Sequence, residues 1–145
     1  MTTHAPRFWR CIPQRYSLIG THCSNCDEYY FPPRIVCPNC RREAKIEEYR
    51  FKGTGKVITY TTIYTATEDF ERQTPYNLAI IELDEGPRLT GQIVSDPGDI
   101  KIGTRVRPVF RILGKEGDRG IIYYGTKFVP IEEPVHQLNP KKQPE

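Results

Sequence analysis

Alternating apolar and polar residues dominate the chain from residue 48 onward, and they predict a series of β-strands. β-Branched and aromatic residues are concentrated in six runs that turn-forming residues separate. The runs cover residues 48–53, 56–64, 76–83, 88–94, 104–113 and 121–129. Short strands at this spacing predict a mainly β domain, a five- or six-stranded small barrel over residues 47–131.

The longest polar connection between predicted strands, residues 65–75, carries one large apolar side chain, Phe70. Loops of this length inside a compact domain are often functional. We therefore predict that the loop is a gate or docking element and that Phe70 contacts a partner.

Before the strands, apolar residues recur three or four positions apart and predict a helical arm over residues 1–19. Pro13 prevents one continuous helix, because it removes a donor and clashes with the preceding turn. The arm either packs on its own domain or presents Phe8 and Trp9 as aromatic anchors for a partner. At the other end, residues 132–145 lack periodicity and predict an extended or disordered tail.

Four cysteines between the arm and the strands form the strongest chemical signal. Cys23 and Cys26 make one Cys-x-x-Cys pair, and Cys37 and Cys40 make a second after a ten-residue spacer. Two facing pairs supply a tetrahedral set of four thiolates, which suits Zn²⁺, with iron of the rubredoxin type as the alternative. Two disulfides would need an oxidising compartment, and a thioredoxin-type redox site needs only one such pair. The spacing therefore predicts a metal ribbon over residues 20–46.

A metal with four protein ligands has no open position for water or substrate, so its role is structural. Its binding energy becomes folding energy for a segment too short to bury its own core. Asp27 and Arg41 follow the two pairs, at positions where ribbons often need a left-handed residue. The fifth cysteine, Cys11, is more consistent with a small buried hydrophobe than with a nucleophile.

Composition and charge bound the function without specifying it. Hydrophobic residues make up 37% of the 145 residues, aromatic residues make up 11%, and the net charge is +3. Such a charge permits an anionic partner without requiring one. No apolar run approaches the roughly 20 residues that span a bilayer, and no signal peptide is recognisable. With reduced thiols, these features lead us to expect a cytoplasmic protein.

No catalytic motif is recognisable. The three histidines are scattered, and nucleophile elbows, phosphate-binding loops and supported carboxylate pairs are missing from the sequence. The residues alone therefore indicate a binding or assembly protein.

The order of these features resembles the acyl-CoA-associated proteins that join a rubredoxin-like zinc ribbon to an OB-fold. The resemblance covers about residues 8–131. Besides the four cysteines, it rests on the sequences YFPPR at 30–34, GTGKVITYTT at 53–62, PYNLAIIELDEGPR at 75–88, IGTRV at 102–106 and FVP at 128–130.

The resemblance implies a non-catalytic scaffold. Archaeal members resemble a subunit that bridges acetoacetyl-CoA thiolase and hydroxymethylglutaryl-CoA synthase in the mevalonate route, and other members serve other acyl-CoA enzymes. It implies one structural Zn²⁺ and a shared CoA or acyl-CoA. The residues expected at a CoA or partner contact are Tyr30, Phe31, Arg34, Arg41 and Lys45. An alternative class is a single-stranded nucleic-acid binder, in which Tyr60, Tyr64 and Tyr76 would stack on bases.

Overall fold

The computed structural model describes residues 9–67, 70–115 and 120–131. Within them, helix α1 (Ile12–Ser17) precedes eight strands, and 3₁₀ turns occupy Arg41–Glu43 and Glu71–Gln73. The strands are β1 (Ile19–Cys23), β2 (Glu28–Tyr30), β3 (Ile46–Arg50), β4 (Gly55–Ile63), β5 (Tyr76–Leu83), β6 (Arg88–Ile93), β7 (Arg105–Lys115) and β8 (Ile122–Pro130). The predicted mainly β fold is confirmed.

Strands β4 to β8 close into a five-stranded barrel in the order β4-β5-β6-β8-β7. All neighbours are antiparallel except β6 and β8, which meet at Ile93 and Phe128. The barrel closes where Gly55 and Lys56 of β4 pair with Val106 and Arg105 of β7. The last five predicted runs correspond to these five strands, so the five-stranded alternative is the correct one.

The first predicted run, residues 48–53, belongs to a different sheet. Its residues 48–50 lie in β3, which pairs antiparallel with β1 in the order β2-β1-β3, and its residues 51–53 follow the end of that strand. Gly20 and Cys23 of β1 lie opposite Tyr49 and Ile46 of β3. Side-chain alternation predicts that a strand exists, but it does not specify the neighbouring strand. The first run therefore extends the ribbon rather than the barrel.

The barrel core is filled by aliphatic side chains around Phe128. The fully buried members include Val57, Ile81, Leu83, Ile93, Ile100, Val106 and Phe128. A Cβ atom on Gly91 would lie 2.6 Å from the Phe128 ring, so glycine at this position makes room for the ring. Buried Asn77 accepts a hydrogen bond from Thr62 and donates to Ser95. Its polar atoms are thereby satisfied at the barrel wall.

Ribbon and barrel are joined through a shared apolar junction. Phe51 follows β3 into the core, and its backbone N–H donates to the carbonyl of Leu18. The rings of Tyr29, Phe31 and Tyr49 pack against this core and are partly buried. The junction therefore fixes the ribbon against the barrel through side-chain packing.

Helix α1 begins at Ile12 and lies on strand β8. Pro13 occupies its first turn, where the missing N–H would have no partner inside the helix. The Thr126 hydroxyl donates to the carbonyl of Arg15 at 2.9 Å. The part of the arm that the structure describes thus packs on its own domain. None of the described helices is long and apolar enough to cross a membrane.

Candidate metal centre

Each cysteine pair is built on the same tight turn. The backbone N–H of Asp27 donates to the carbonyl of Cys23 at 2.8 Å, and that of Arg41 donates to Cys37 at 2.9 Å. Asp27 and Arg41 have φ values of 59° and 48°. Both residues therefore adopt the left-handed backbone conformation that ribbons often need at these positions, although neither is glycine.

The four Sγ atoms converge on one point. All lie within 4.8 Å of one another, with separations of 3.5 Å between Cys26 and Cys37 and 4.0 Å between Cys23 and Cys40. A tetrahedral ion with Zn–S bonds of about 2.3 Å separates its sulfurs by about 3.8 Å. Both the chemistry and the spacing of this donor set fit one Zn²⁺. Cys11 lies outside the set.

Hydrogen-bond donors surround the sulfurs and favour their ionised form. The Tyr30 hydroxyl lies 3.2 Å from the Cys37 Sγ, and the Asn25 side-chain amide donates to the Cys40 Sγ at 3.1 Å. The contact with Tyr30 is the main reason that the pKa of Cys37 is lowered to about 6. Burial and then the neighbouring Cys37 thiol raise the pKa of Cys26 to about 12. Despite its burial, backbone N–H donors lower the pKa of Cys23 as well, and a bound cation would favour ionisation of all four sulfurs.

The residues predicted to contact CoA or a partner divide into two groups. Tyr30 and Phe31 point inward: Tyr30 reaches Cys37, and the Phe31 ring centroid lies 6.0 Å from that of Phe51. Arg34, Arg41 and Lys45 are exposed. The Arg34 guanidinium lies over the Tyr30 ring, 5.3 Å from its centroid. Their contacts with CoA remain predictions.

Two of the three residues predicted to dock a partner, Trp9 and Phe70, lie in the part of the chain that the structure describes. Phe8 lies outside the described residues. Trp9 is 77% exposed, and Phe70 lies at the surface with its ring 6.0 Å from that of Tyr76. Their role in docking also remains a prediction.

Two exposed apolar residues were missed by sequence reasoning. Ile35 is 94% exposed and Val36 is 57% exposed, in the loop immediately before Cys37. They have no periodic partners, so pattern analysis does not single them out. The available signal was their position, because adjacent β-branched residues in a short loop have no strand face to bury.

Sequence reasoning also missed a polar cluster beneath the loop predicted to act as a gate. Lys127 on β8 is only 7% exposed, and its Nζ donates to the Gln73 Oε1 at 2.9 Å. The Gln73 amide also donates to the carbonyl of Leu113 and accepts a hydrogen bond from Gln92. Burial lowers the pKa of Lys127. These bonds attach the loop to three strands of the barrel.

A cavity of about 480 Å³ lies between α1, the ribbon loop and the barrel. Its apolar lining includes Leu18, Phe31, Pro33, Leu89, Leu113 and Phe128. It is the place where all three parts of the molecule meet.

A four-cysteine ribbon packed against a closed five-stranded barrel defines a zinc-ribbon and OB-fold protein. Residues 12–47 match the family model "ChsH2, rubredoxin-like zinc ribbon domain", and residues 48–111 match "ChsH2, C-terminal OB-fold domain". A DUF35 domain-containing scaffold protein from Methanocaldococcus jannaschii is 54% identical over 127 residues, covering 87% of this chain and 90% of its own. The chain belongs to this ChsH2-type DUF35 family, as the sequence resemblance predicted.

Two further matches are to an enzyme subunit and to the solved structure of an enzyme complex. The benzoylsuccinyl-CoA thiolase subunit BbsA of Thauera aromatica is 27% identical over 89 residues, covering 61% of this chain and 60% of its own. A solved structure of an Ltp2-ChsH2(DUF35) aldolase matches with a TM-score of 0.65 and 27% identity, covering 90% of this chain and 98% of that one. The family is thus associated with acyl-CoA enzymes.

Proposed function

We propose that this chain is a non-catalytic, zinc-binding scaffold subunit that bridges a thiolase and hydroxymethylglutaryl-CoA synthase. It holds the two enzymes so that acetoacetyl-CoA from the unfavourable condensation is drawn into the next step of the mevalonate route. One Zn²⁺ per chain, bound by the four cysteines, stabilises the ribbon. The assembly acts in the cytoplasm.

The observation that carries this proposal is the similarity to a scaffold protein over nearly the whole chain, 54% identity over 127 residues. The metal centre agrees with it, because four sulfur ligands leave no position for substrate. A thiolase subunit among the relatives supports an acyl-CoA enzyme as partner.

The exposed basic residues of the ribbon suit the phosphates of a shared CoA. Arg34, Arg41 and Lys45 are the phosphate neighbours in this proposal, and Tyr30 and Phe31 support the loop that presents Arg34. An Arg34→Ala variant should weaken retention of CoA by the assembled complex. Arg107→Ala, an exposed arginine on β7, is the matched control. Equal CoA retention by both variants would refute the assignment.

Co-expression with the thiolase and synthase of the same organism tests the scaffold directly. Size-exclusion chromatography with light scattering should give one particle that contains all three proteins, and omission of this chain should separate the two enzymes. The proposal would be contradicted if this chain eluted alone and the two enzymes eluted as they do without it.

A second candidate is an accessory subunit of a thiolase without the synthase. The similarity to a benzoylsuccinyl-CoA thiolase subunit favours it. The same chromatography separates the two candidates, because this one predicts a particle that contains the thiolase and lacks the synthase.

A further inference from the structure

The ribbon presents an apolar point that its own fold leaves uncovered. We call Ile35 and Val36 the ribbon tip; they are 94% and 57% exposed. On one side the backbone N–H of Arg34 donates to the Thr21 hydroxyl at 3.0 Å, and on the other Cys37 is fully buried in the metal centre. The ribbon tip is therefore held in place at both ends while its side chains face solvent.

Exposed cations flank the ribbon tip in the sequence. We call the exposed set Arg34, Arg41, Arg42 and Lys45 the basic collar. In residues 34–45, Glu43 is the one carboxylate against these four cations. Within the described residues, no member of the basic collar forms an ion pair with a carboxylate.

Three of the described cations of the barrel form ion pairs within the chain. Lys56 and Arg88 both contact Glu82, and Arg105 contacts Asp84. The basic collar lacks such pairs among the described residues, so its charges are available to another molecule.

An exposed apolar pair with exposed cations nearby in the sequence is complementary to one kind of surface. Burying the apolar side chains requires a recess, and the cations require carboxylates around its rim. A loop that is already held in its bound conformation loses little entropy on association. Apolar anchors enclosed by a polar rim are typical of protein interfaces.

We propose that the ribbon tip and basic collar form the docking site for one of the two partner enzymes, on a protein surface with an apolar recess rimmed by carboxylates. This inference rests on the proposed scaffold function and assigns it a surface. The ribbon tip inserts into the recess, and the basic collar orients the encounter.

An Ile35→Ser/Val36→Ser double variant tests the ribbon tip in the full-length chain. Both side chains face solvent, so folding and zinc content should match the wild type. Ile102→Ser is the matched control, because Ile102 is an equally solvent-facing isoleucine on the barrel, 71% exposed. Binding to each enzyme is measured separately by biolayer interferometry.

The double variant should bind one enzyme roughly 10- to 100-fold more weakly and the other enzyme normally, whereas Ile102→Ser should bind both normally. An Arg41→Glu/Arg42→Glu variant should lower the association rate for the same enzyme, with a smaller deficit at high salt. Unchanged affinity of the double variant for both enzymes would overturn the inference. The inference would also be overturned if the double variant bound both enzymes normally and lost only its retention of CoA or its association with a second copy of this chain.

Failure of the wild-type chain to bind either enzyme would instead refute the scaffold function. The two failures can be distinguished. If only the docking site is wrong, the wild-type complex still assembles and the double variant binds both enzymes with unchanged affinity.

Discussion

Ribbon and barrel are both built from β-strands, but their sources of stability differ. The barrel encloses a continuous apolar core around Phe128. In residues 19–50, which form the ribbon, the buried residues are Gly20, Cys23 and Cys37. Two of these three supply ligands to the metal centre. The barrel is therefore stabilised by apolar burial, whereas the ribbon depends on its metal ion.

This difference explains how a small chain can present a rigid loop. An apolar core under the loop of residues 31–36 would have to bury Ile35 and Val36. Metal ligation fixes the same loop from Cys37 and leaves those side chains exposed. Packing of Phe51 in the core then fixes the position of the loop relative to the barrel.

Loss of a metal ligand should have the largest effect and should be confined to the ribbon. A Cys26→Ser variant removes one of four sulfurs and should forfeit most of a metal-binding energy on the order of 10 kcal/mol. Mass spectrometry should find no stoichiometric zinc, and amide NMR signals of β1 to β3 should collapse while those of β4 to β8 persist. Cys11→Ser, a substitution outside the metal centre, should keep both the stoichiometric zinc and the amide signals of β1 to β3. Full zinc occupancy in Cys26→Ser would refute the four-sulfur site.

A cavity in the barrel core should have the reverse effect. Phe128→Ala should lower the free energy of unfolding by about 3–5 kcal/mol, because Phe128 is 1% exposed and its space cannot collapse fully. Zinc stoichiometry of the folded protein should stay unchanged. Urea denaturation and metal analysis measure the two quantities, with exposed Ile102→Ala as control. Loss of zinc from the folded Phe128→Ala variant, together with the loss of barrel stability, would show that the two regions are not independent.

Removal of one hydrogen bond at the metal centre should give an intermediate effect. Tyr30→Phe deletes the hydroxyl that lies 3.2 Å from the Cys37 Sγ. Outer hydrogen bonds of this kind change metal affinity by roughly 10- to 100-fold. Competition with a chromophoric chelator should show that loss, and Tyr29→Phe, which alters the neighbouring ring, should not. An unchanged affinity in Tyr30→Phe would exclude a contribution of the hydroxyl.

The smallest effect is expected on the barrel surface and depends on pH. The Arg105 guanidinium, together with the Thr54 hydroxyl, lowers the pKa of Asp84 to about 2. A depressed carboxylate pKa adds stability above its usual value near 4, and that stability is lost as the pH falls toward 2. The pair is partly exposed, so the gain is at most about 1 kcal/mol.

Urea midpoints at pH 7 and pH 2.5 measure this contribution. The wild type should lose more stability than Asp84→Asn between the two values, and Asp99→Asn, an exposed carboxylate outside the ion pair, should behave like the wild type. An identical pH dependence in all three proteins would assign no stabilising role to the pair.

Local patterns were sufficient to predict the barrel strands and the convergence of the four cysteines. Side-chain alternation is a property of each strand, and the cysteine spacing reports the two tight turns directly. The pairing of β3 with β1 could not be predicted this way, because it depends on which edge the folded ribbon leaves free. Lys127 was likewise missed, since its partner Gln73 is 54 positions away in sequence. Exposure of Ile35 follows from ligation at Cys37 and not from its own neighbours.

Native mass spectrometry of the three-protein mixture, before and after zinc chelation, tests the central claim most directly. A scaffold that depends on its metal centre predicts one assembly of this chain with thiolase and synthase. Chelation should then release one enzyme while the barrel of this chain stays folded. An assembly that survives complete removal of zinc would contradict the role of the metal centre. Absence of any assembly before chelation would contradict the scaffold function itself.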